Sequence, residues 1–188
     1  MAKAVLISIR PEWVEKIISG KKTLEVRKTR PKLETPFKAY IYCTAGDLSY
    51  KVNNRIMCNI SGGKLVVGEF VCNKIDVIQR MGIPANFDYC YLSLNEWGND
   101  DIETEIRDIM GSCIPKERLN SYAGKTPVLY AWHISKLEIY DTPKKLSKFL
   151  RPFENCIGKV CDEYGCAYCE NGHIKRPPQS WCYVEELK

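Results

Sequence analysis

Apolar and polar positions along this chain sort into short runs of two kinds. Residues 3–9 are nearly all apolar, with Ala4, Val5, Leu6, Ile7 and Ile9, and predict a buried strand. Pro11 suits the first turn of a helix, where a missing N–H costs nothing. Trp13, Val14, Ile17 and Ile18 then make one apolar face, with Glu12, Glu15 and Lys16 outside it. Gly20 fits the left-handed position after the last turn, so the helix is predicted over Pro11–Ser19. From Thr23 to Lys28 the period changes to two. Leu24 and Val26 face one way, and Thr23, Glu25 and Arg27 face the other. Arg30-Pro31 ends this strand. Phe37–Thr44 predicts another, with Tyr40 and Tyr42 opposite Ala39, Ile41 and Cys43.

Beyond residue 44 the pattern is looser. Ala45–Ile60 is polar and aperiodic, and predicts a surface excursion. Ser61-Gly62-Gly63-Lys64 predicts a turn, and Leu65–Ile78 one long strand with a bulge at Gly68. Arg80–Asn99 is irregular. Residues 100–110 predict a helix stopped by Gly111, and Pro115–Ala123 a further helix ended by Gly124. Val128–Ile134 is almost continuously apolar, a strand buried on both faces that continues through Leu137 and Ile139. His133 within it is expected to be a core histidine with a satisfied ring. Thr142-Pro143 predicts the cap of a helix carrying Leu146, Phe149 and Leu150.

Composition narrows the class. The 188 residues are 45% hydrophobic and 27% charged, ordinary for a globular protein. The length suits one domain, residues 1–150, with an appendage, residues 151–188. No apolar run approaches the roughly 20 residues that span a bilayer, so no membrane role is expected. The N-terminal apolar run is short, alternating and followed at once by charge, unlike a secretory leader. A cytoplasmic location follows as the expectation, and the ten cysteines are then thiols or metal ligands rather than disulfides. The formal net charge is +5, but residues 1–38 hold ten Lys and Arg against four Asp and Glu, while the other 150 sum to −1. That asymmetry points to a phosphate-bearing partner.

The basic excess surrounds Gly20-x-Lys22-x-x-Glu25-x-Arg27. Together with Ser8-Ile9-Arg10-Pro11, the tryptophan-bearing helix and the later segments Tyr40–Cys43, Val67–Phe70 and Tyr130–Ile134, it resembles the signature of ASCH domains (activating signal cointegrator homology), of the PUA-like superfamily. The resemblance covers about residues 3–150. It implies an α+β fold, a mixed, partly open β-barrel flanked by short helices, with a cleft where the motif meets neighbouring strands. It implies RNA or modified-nucleotide binding. Some similar small proteins hydrolyse the amide of N4-acetylcytidine and others resemble ribonucleases; Lys22 matches the motif lysine, whereas those hydrolases carry a threonine where Glu25 stands.

The residues give these roles physical content. If Arg10, Lys22 and Arg27 line one cleft, they offer point charges and a planar fork to phosphate oxygens. Glu25 can pair with Arg27 or accept from the exocyclic amine of a base. Tyr42, Tyr50 or Trp13 can stack on bases. In an enzyme, a desolvated Lys22 would serve as base or nucleophile and Glu25 as general base for water. Three classes stay open: a binding module, a hydrolase or nuclease, and a protein-interaction domain that uses the tail. The alternative for the motif itself is a Glu25–Arg27 ion pair within the strand and solvated Lys21 and Lys22.

The tail has its own chemistry. Cys156-x4-Cys161-x4-Cys166-x2-Cys169-x3-His173 contains one tight Cys-x-x-Cys pair. Cys161, Cys166, Cys169 and His173 would make a tetrahedral structural zinc site, with Cys156 able to replace His173; a loop of reduced thiols is the alternative. Trp181 and Tyr183 share a strand face and are expected to dock the tail on the domain.

Overall fold

A computed structural model of the chain describes residues 2–52, 56–83, 88–93, 111–152 and 172–187. It divides into two compact units. One comprises Met1–Glu15, Phe37–Phe70 and Lys136–Lys188; the other comprises Lys16–Pro36 and Val71–Ser135.

The first unit is built on β1 (Lys3–Ile9), whose residues from Ala4 to Ile9 are all buried. They are buried because β1 is interior to a five-stranded sheet of order β10-β6-β3-β1-β11. β3 (Phe37–Cys43) runs parallel to β1, pairing Val5 with Ala39 and Ile9 with Cys43. β11 (Trp181–Glu185) runs antiparallel on the other side, pairing Ile7 with Trp181 and Lys3 with Glu185. β6 (Leu65–Cys72) and β10 (Ser135–Lys145) complete the sheet. Ala4, Leu6, Tyr40, Tyr42, Val66, Tyr140, Phe149, Ile174 and Val184 pack as one core. Residues flanking the cysteine-rich stretch are therefore core members. The backbone N–H of Leu187 donates to the Tyr40 hydroxyl at 2.8 Å, and Ser8 Oγ donates to the Pro178 carbonyl at 2.6 Å.

Several sequence expectations are corrected here. Ala45–Ile60 holds an antiparallel pair, β4 (Leu48–Val52) and β5 (Ile56–Ile60), with Leu48, Tyr50 and Ile60 buried. Ser49 and Asn59, between or beside them, are exposed, and the short polar-interrupted runs concealed the alternation. Gly68 does not interrupt its strand, which runs from Leu65 to Cys72. A Cβ there would lie 2.4 Å from the Glu138 carbonyl oxygen, so glycine permits the close approach of β10. The predicted helix after Thr142-Pro143 is absent. β10 runs on to Lys145 and only a single 3-10 turn, Leu146–Lys148, follows. The helix predicted over 100–110 lies outside the described residues.

One polar cluster ties this sheet together. Lys38 Nζ lies 2.8 Å from Glu69 Oε1 and 3.0 Å from Glu186 Oε1, and the Tyr140 hydroxyl donates to the other Glu69 oxygen. Burial pushes the Glu69 pKa up, but the hydrogen bonds from Lys38 and Tyr140 outweigh it and the net value falls. A carboxylate whose folded pKa is depressed stabilises the protein above its unfolded pKa, and this is lost as pH falls through the folded value. Glu69 should therefore contribute fully above about pH 5 and progressively less below the ordinary glutamate range near 4.3. Lys38→Met is expected to cost about 1–2 kcal/mol at neutral pH and less in acid. Urea midpoints measured across that range check this; an equal cost at pH 7 and pH 3 contradicts it.

The second unit carries a four-stranded sheet, β2-β9-β7-β8, comprising β2 (Leu24–Arg27), β9 (Val128–His133), β7 (Ile75–Ile83) and β8 (Asp88–Ser93). The stretch expected as irregular from Arg80 thus includes a hairpin, in which Ile83 pairs with Asp88. Leu65–Ile78 is two strands, broken after Cys72 rather than at Gly68. Helix α1 (Pro11–Ile18) precedes β2, and α2 (Lys116–Ala123) buries Leu119 and Ala123 against Leu24, Val26, Ile78, Leu129 and Ala131. Its amphipathic pattern and Gly124, which takes a positive φ of 59° that favours glycine, set its length. Among the described residues the strands form three sheets, none closed into a barrel, and no helix is long and apolar enough to cross a membrane.

Candidate functional site

The site begins where α1 stops. Gly20 takes φ 72°, its N–H bonding to the Ile17 carbonyl at 2.9 Å, and the Lys22 N–H returns to the Lys16 carbonyl at 2.9 Å. This turn sends the Lys22 side chain inward, and Lys22 is only 2% exposed. The segment after residue 110 closes over it. The N–H groups of Thr23 and Leu24 both donate to the Gly111 carbonyl, at 2.8 and 3.0 Å. A Cβ on Gly111 would lie 2.6 Å from Thr23 Oγ1, so any side chain there would have to displace that hydroxyl. Cys113 Sγ donates to the Lys21 carbonyl at 3.1 Å.

Lys22 Nζ meets three oxygens: the Leu24 and Ser112 carbonyls, each at 2.7 Å, and Glu25 Oε2 at 3.2 Å. The two carbonyls accept hydrogen bonds, while the Glu25 contact is an ion pair whose Oε2 has no hydrogen-bond partner among the described residues. The other Glu25 oxygen faces Arg27 Nη2 at 2.9 Å. Glu25 thus bridges two cations, and the triad carries a formal +1 in a nearly dry setting. Charges so enclosed persist only because each is paired, which fixes their positions tightly. Every residue of β2 is buried although it is an edge strand.

The sequence motif is therefore only partly one constellation. Lys22, Glu25 and Arg27 converge, and the Glu25–Arg27 pair expected from their shared strand face forms. Lys22 is enclosed rather than solvated, while Lys21 is exposed. Arg10 belongs to the first unit. Its side chain is exposed, and its carbonyl accepts the N–H groups of Trp13 and Val14, each at 3.0 Å, opening α1. Tyr42 and Tyr50, considered for stacking, are each only 4% exposed. Cys156, Cys161, Cys166 and Cys169 lie outside the described residues. His173 is exposed, on an isolated bridge to Leu150.

The His133 ring is satisfied as expected, but its partner, and a second feature, escaped the sequence. His133 Nε2 sits 2.5 Å from Asp76 Oδ2, and Asp76 Oδ1 lies 3.1 Å from Lys74 Nζ. Asp76 is 2% exposed, so the ring is satisfied by a buried carboxylate. Asp76 lies 57 positions from His133, and no local spacing announces the pair. The second is aromatic. Tyr122 on α2 sits with Lys28 Nζ 5.3 Å from its ring centre, and Tyr130 on β9 with Arg30 Cζ at 5.7 Å. Burial, ahead of other influences, raises the Tyr122 pKa and keeps its hydroxyl neutral; the Lys28 backbone hydrogen-bonds to it. Cys72, beside His133 and Asp76, is pushed up to about 12 by burial, so it stays an unreactive thiol.

Together these describe a mixed α+β protein, mostly strands, with an enclosed charge triad at the junction of a helix and a strand. The ASCH domain profile matches residues 7–119, and the chain belongs to the ASCH domain family, a PUA-like group. Among solved structures, the ASCH protein of Zymomonas mobilis is similar at 17% identity and TM-score 0.55, over 97% of this chain and 88% of that one. Two point-mutant forms of that protein give TM-scores of 0.54 and 0.55, also at 17% identity, over 98% and 97% of this chain and 92% and 89% of theirs. No curated protein matches the chain.

Proposed function

We propose that this ASCH domain binds RNA or a modified nucleotide, with Lys22, Glu25 and Arg27 as the fixed charged floor of its site. The observation that carries the reading is the enclosed triad, which fixes two cations around one carboxylate in a nearly dry setting. Such a preorganised charge attracts phosphate at little reorganisation cost. Arg27 presents the planar fork, and Lys22 lends charge from beneath. Binding is favoured over hydrolysis because Lys22 donates to two backbone carbonyls and Glu25 is shared between two cations.

Fluorescence anisotropy with a labelled single-stranded RNA tests this. Affinity should fall with salt, with a log–log slope of about −0.7 per phosphate engaged. Arg27→Lys should weaken binding severalfold by losing the fork. Arg10→Ala tests its exposed guanidinium separately. Absence of binding to any RNA or nucleotide, or a salt-independent affinity, would overturn the reading. For the tail, the Cys-x-x-Cys spacing supports a structural zinc held by Cys161, Cys166, Cys169 and His173. Elemental analysis of the purified protein should find about one zinc, lost in Cys166→Ser.

A further inference from the structure

Beyond the slightly exposed Arg27 fork, the enclosed triad offers a polymer no surface to touch. Lys22 is 2% exposed, and the Glu25 and Arg27 side chains are 8% and 11% exposed. A strand of nucleic acid needs accessible cations along its path and flat apolar faces for its bases. The second unit supplies both immediately after β2. Residues 21–32 contain six Lys and Arg against one Glu, a balance of +5 that equals the net charge of the whole chain. Four of those six, Lys21, Lys28, Arg30 and Lys32, are exposed. Tyr122 is the exposed large hydrophobic side chain among the described residues, at 38%.

The cations and rings are already organised. Lys28 lies over Tyr122 and Arg30 over Tyr130, each within the range where the ring quadrupole holds a cation. Tyr130 stands opposite Arg27 in the strand register, and Tyr122 lies close enough to Arg27 and Glu25 to feel their charge. Both pairs therefore adjoin β2 within one unit, Tyr122 from the side on which α2 packs and Tyr130 from the Arg27 side, so that a nucleic-acid strand meeting both passes over the β2 edge.

We propose that Lys28–Tyr122 and Arg30–Tyr130 form the contact surface for an unpaired RNA strand, with bases stacking on the Tyr122 ring and phosphates meeting Lys28 and Arg30. This deepens the RNA-binding reading and rests on it. A base in a duplex is stacked on both faces and has none to offer Tyr122, so the surface selects unpaired strands. The triad beneath supplies a constant positive field, and the exposed pairs supply the contacts.

The test uses the full chain and labelled oligouridylate, with a duplex RNA of equal length as the second probe. Tyr122→Ala is expected to weaken oligouridylate binding about tenfold, and Tyr122→Phe to leave it nearly unchanged. Lys28→Gln combined with Arg30→Gln should flatten the salt dependence by one to two phosphates. This surface pair does not depend on the packing of α2, so it tests the surface even if Tyr122→Ala fails to fold. Duplex binding should be weaker and indifferent to Tyr122→Ala. Wild-type binding to oligouridylate that is unaltered in both variants would overturn this surface while leaving RNA binding intact. No wild-type binding to either RNA would remove the reading beneath it.

Discussion

Replacing Lys22 by methionine is expected to cost this protein about 3–5 kcal/mol of stability. Methionine keeps the length and the apolar stem, so the void is small and the loss reports on charge. Glu25 would keep Arg27 at 2.9 Å but lose the ammonium at 3.2 Å, while its position stays almost dry. The Leu24 and Ser112 carbonyls would both lose a donor at 2.7 Å. An acceptor stranded in the interior costs its full desolvation, which is why removing one member of such a cluster costs more than the cluster is worth. At this chain length the loss corresponds to a drop of roughly 10 °C in melting temperature. Lys21→Met, one residue earlier and exposed, is the control and should stay within about 0.5 kcal/mol. Thermal melts of the two variants decide the matter. A loss below about 1 kcal/mol for Lys22→Met would show that water reaches the triad freely, and its role as a fixed floor would fall with it.

The contrast between Lys21 and Lys22 shows where the sequence stops being legible. Both are lysines in one turn, and no composition rule separates them. Burial of Lys22 depends on a Ser112 carbonyl 90 positions away, held by the close approach at Gly111. By contrast, β1, α1 and β2 were visible because each has one dominant period: a continuous apolar run, a 3.6-residue face and a strict alternation. Their boundaries in the structure differ from expectation by no more than two residues. The β4–β5 pair was hidden because Leu48, Tyr50 and Ile60 face inward among polar neighbours too short in run to register. Thr142-Pro143 misled because a proline that suits a helix start also suits a strand near its end, and pairing in the sheet decided. The surface at Tyr122 was illegible for a different reason: its members lie just after β2, on α2 and on β9, and only folding brings them together.

Trp132 bears on the same triad from the sheet side. It is wholly buried on β9, opposite Glu25 on β2 and Ile75 on β7. Directly paired residues point to the same face of an antiparallel sheet, so the indole lies beside the Glu25 side chain. Trp132→Ala should cost about 3–5 kcal/mol, from lost apolar burial plus a cavity that the sheet cannot close. Trp132→Phe, which keeps most of the volume, should cost about half as much or less. The two variants also separate packing from charge. If the indole only fills space, the cost tracks the volume removed and the dependence on salt stays that of the wild type. If it also keeps water from the triad, Trp132→Ala should add a salt-dependent part, because hydrated charges are screened and enclosed ones much less so. Urea midpoints at low and high salt distinguish these, provided the denaturant slope is unchanged. A salt-dependent loss in Trp132→Ala that is absent in Trp132→Phe is the expected result, since the alanine cavity opens beside Glu25 and phenylalanine still covers it.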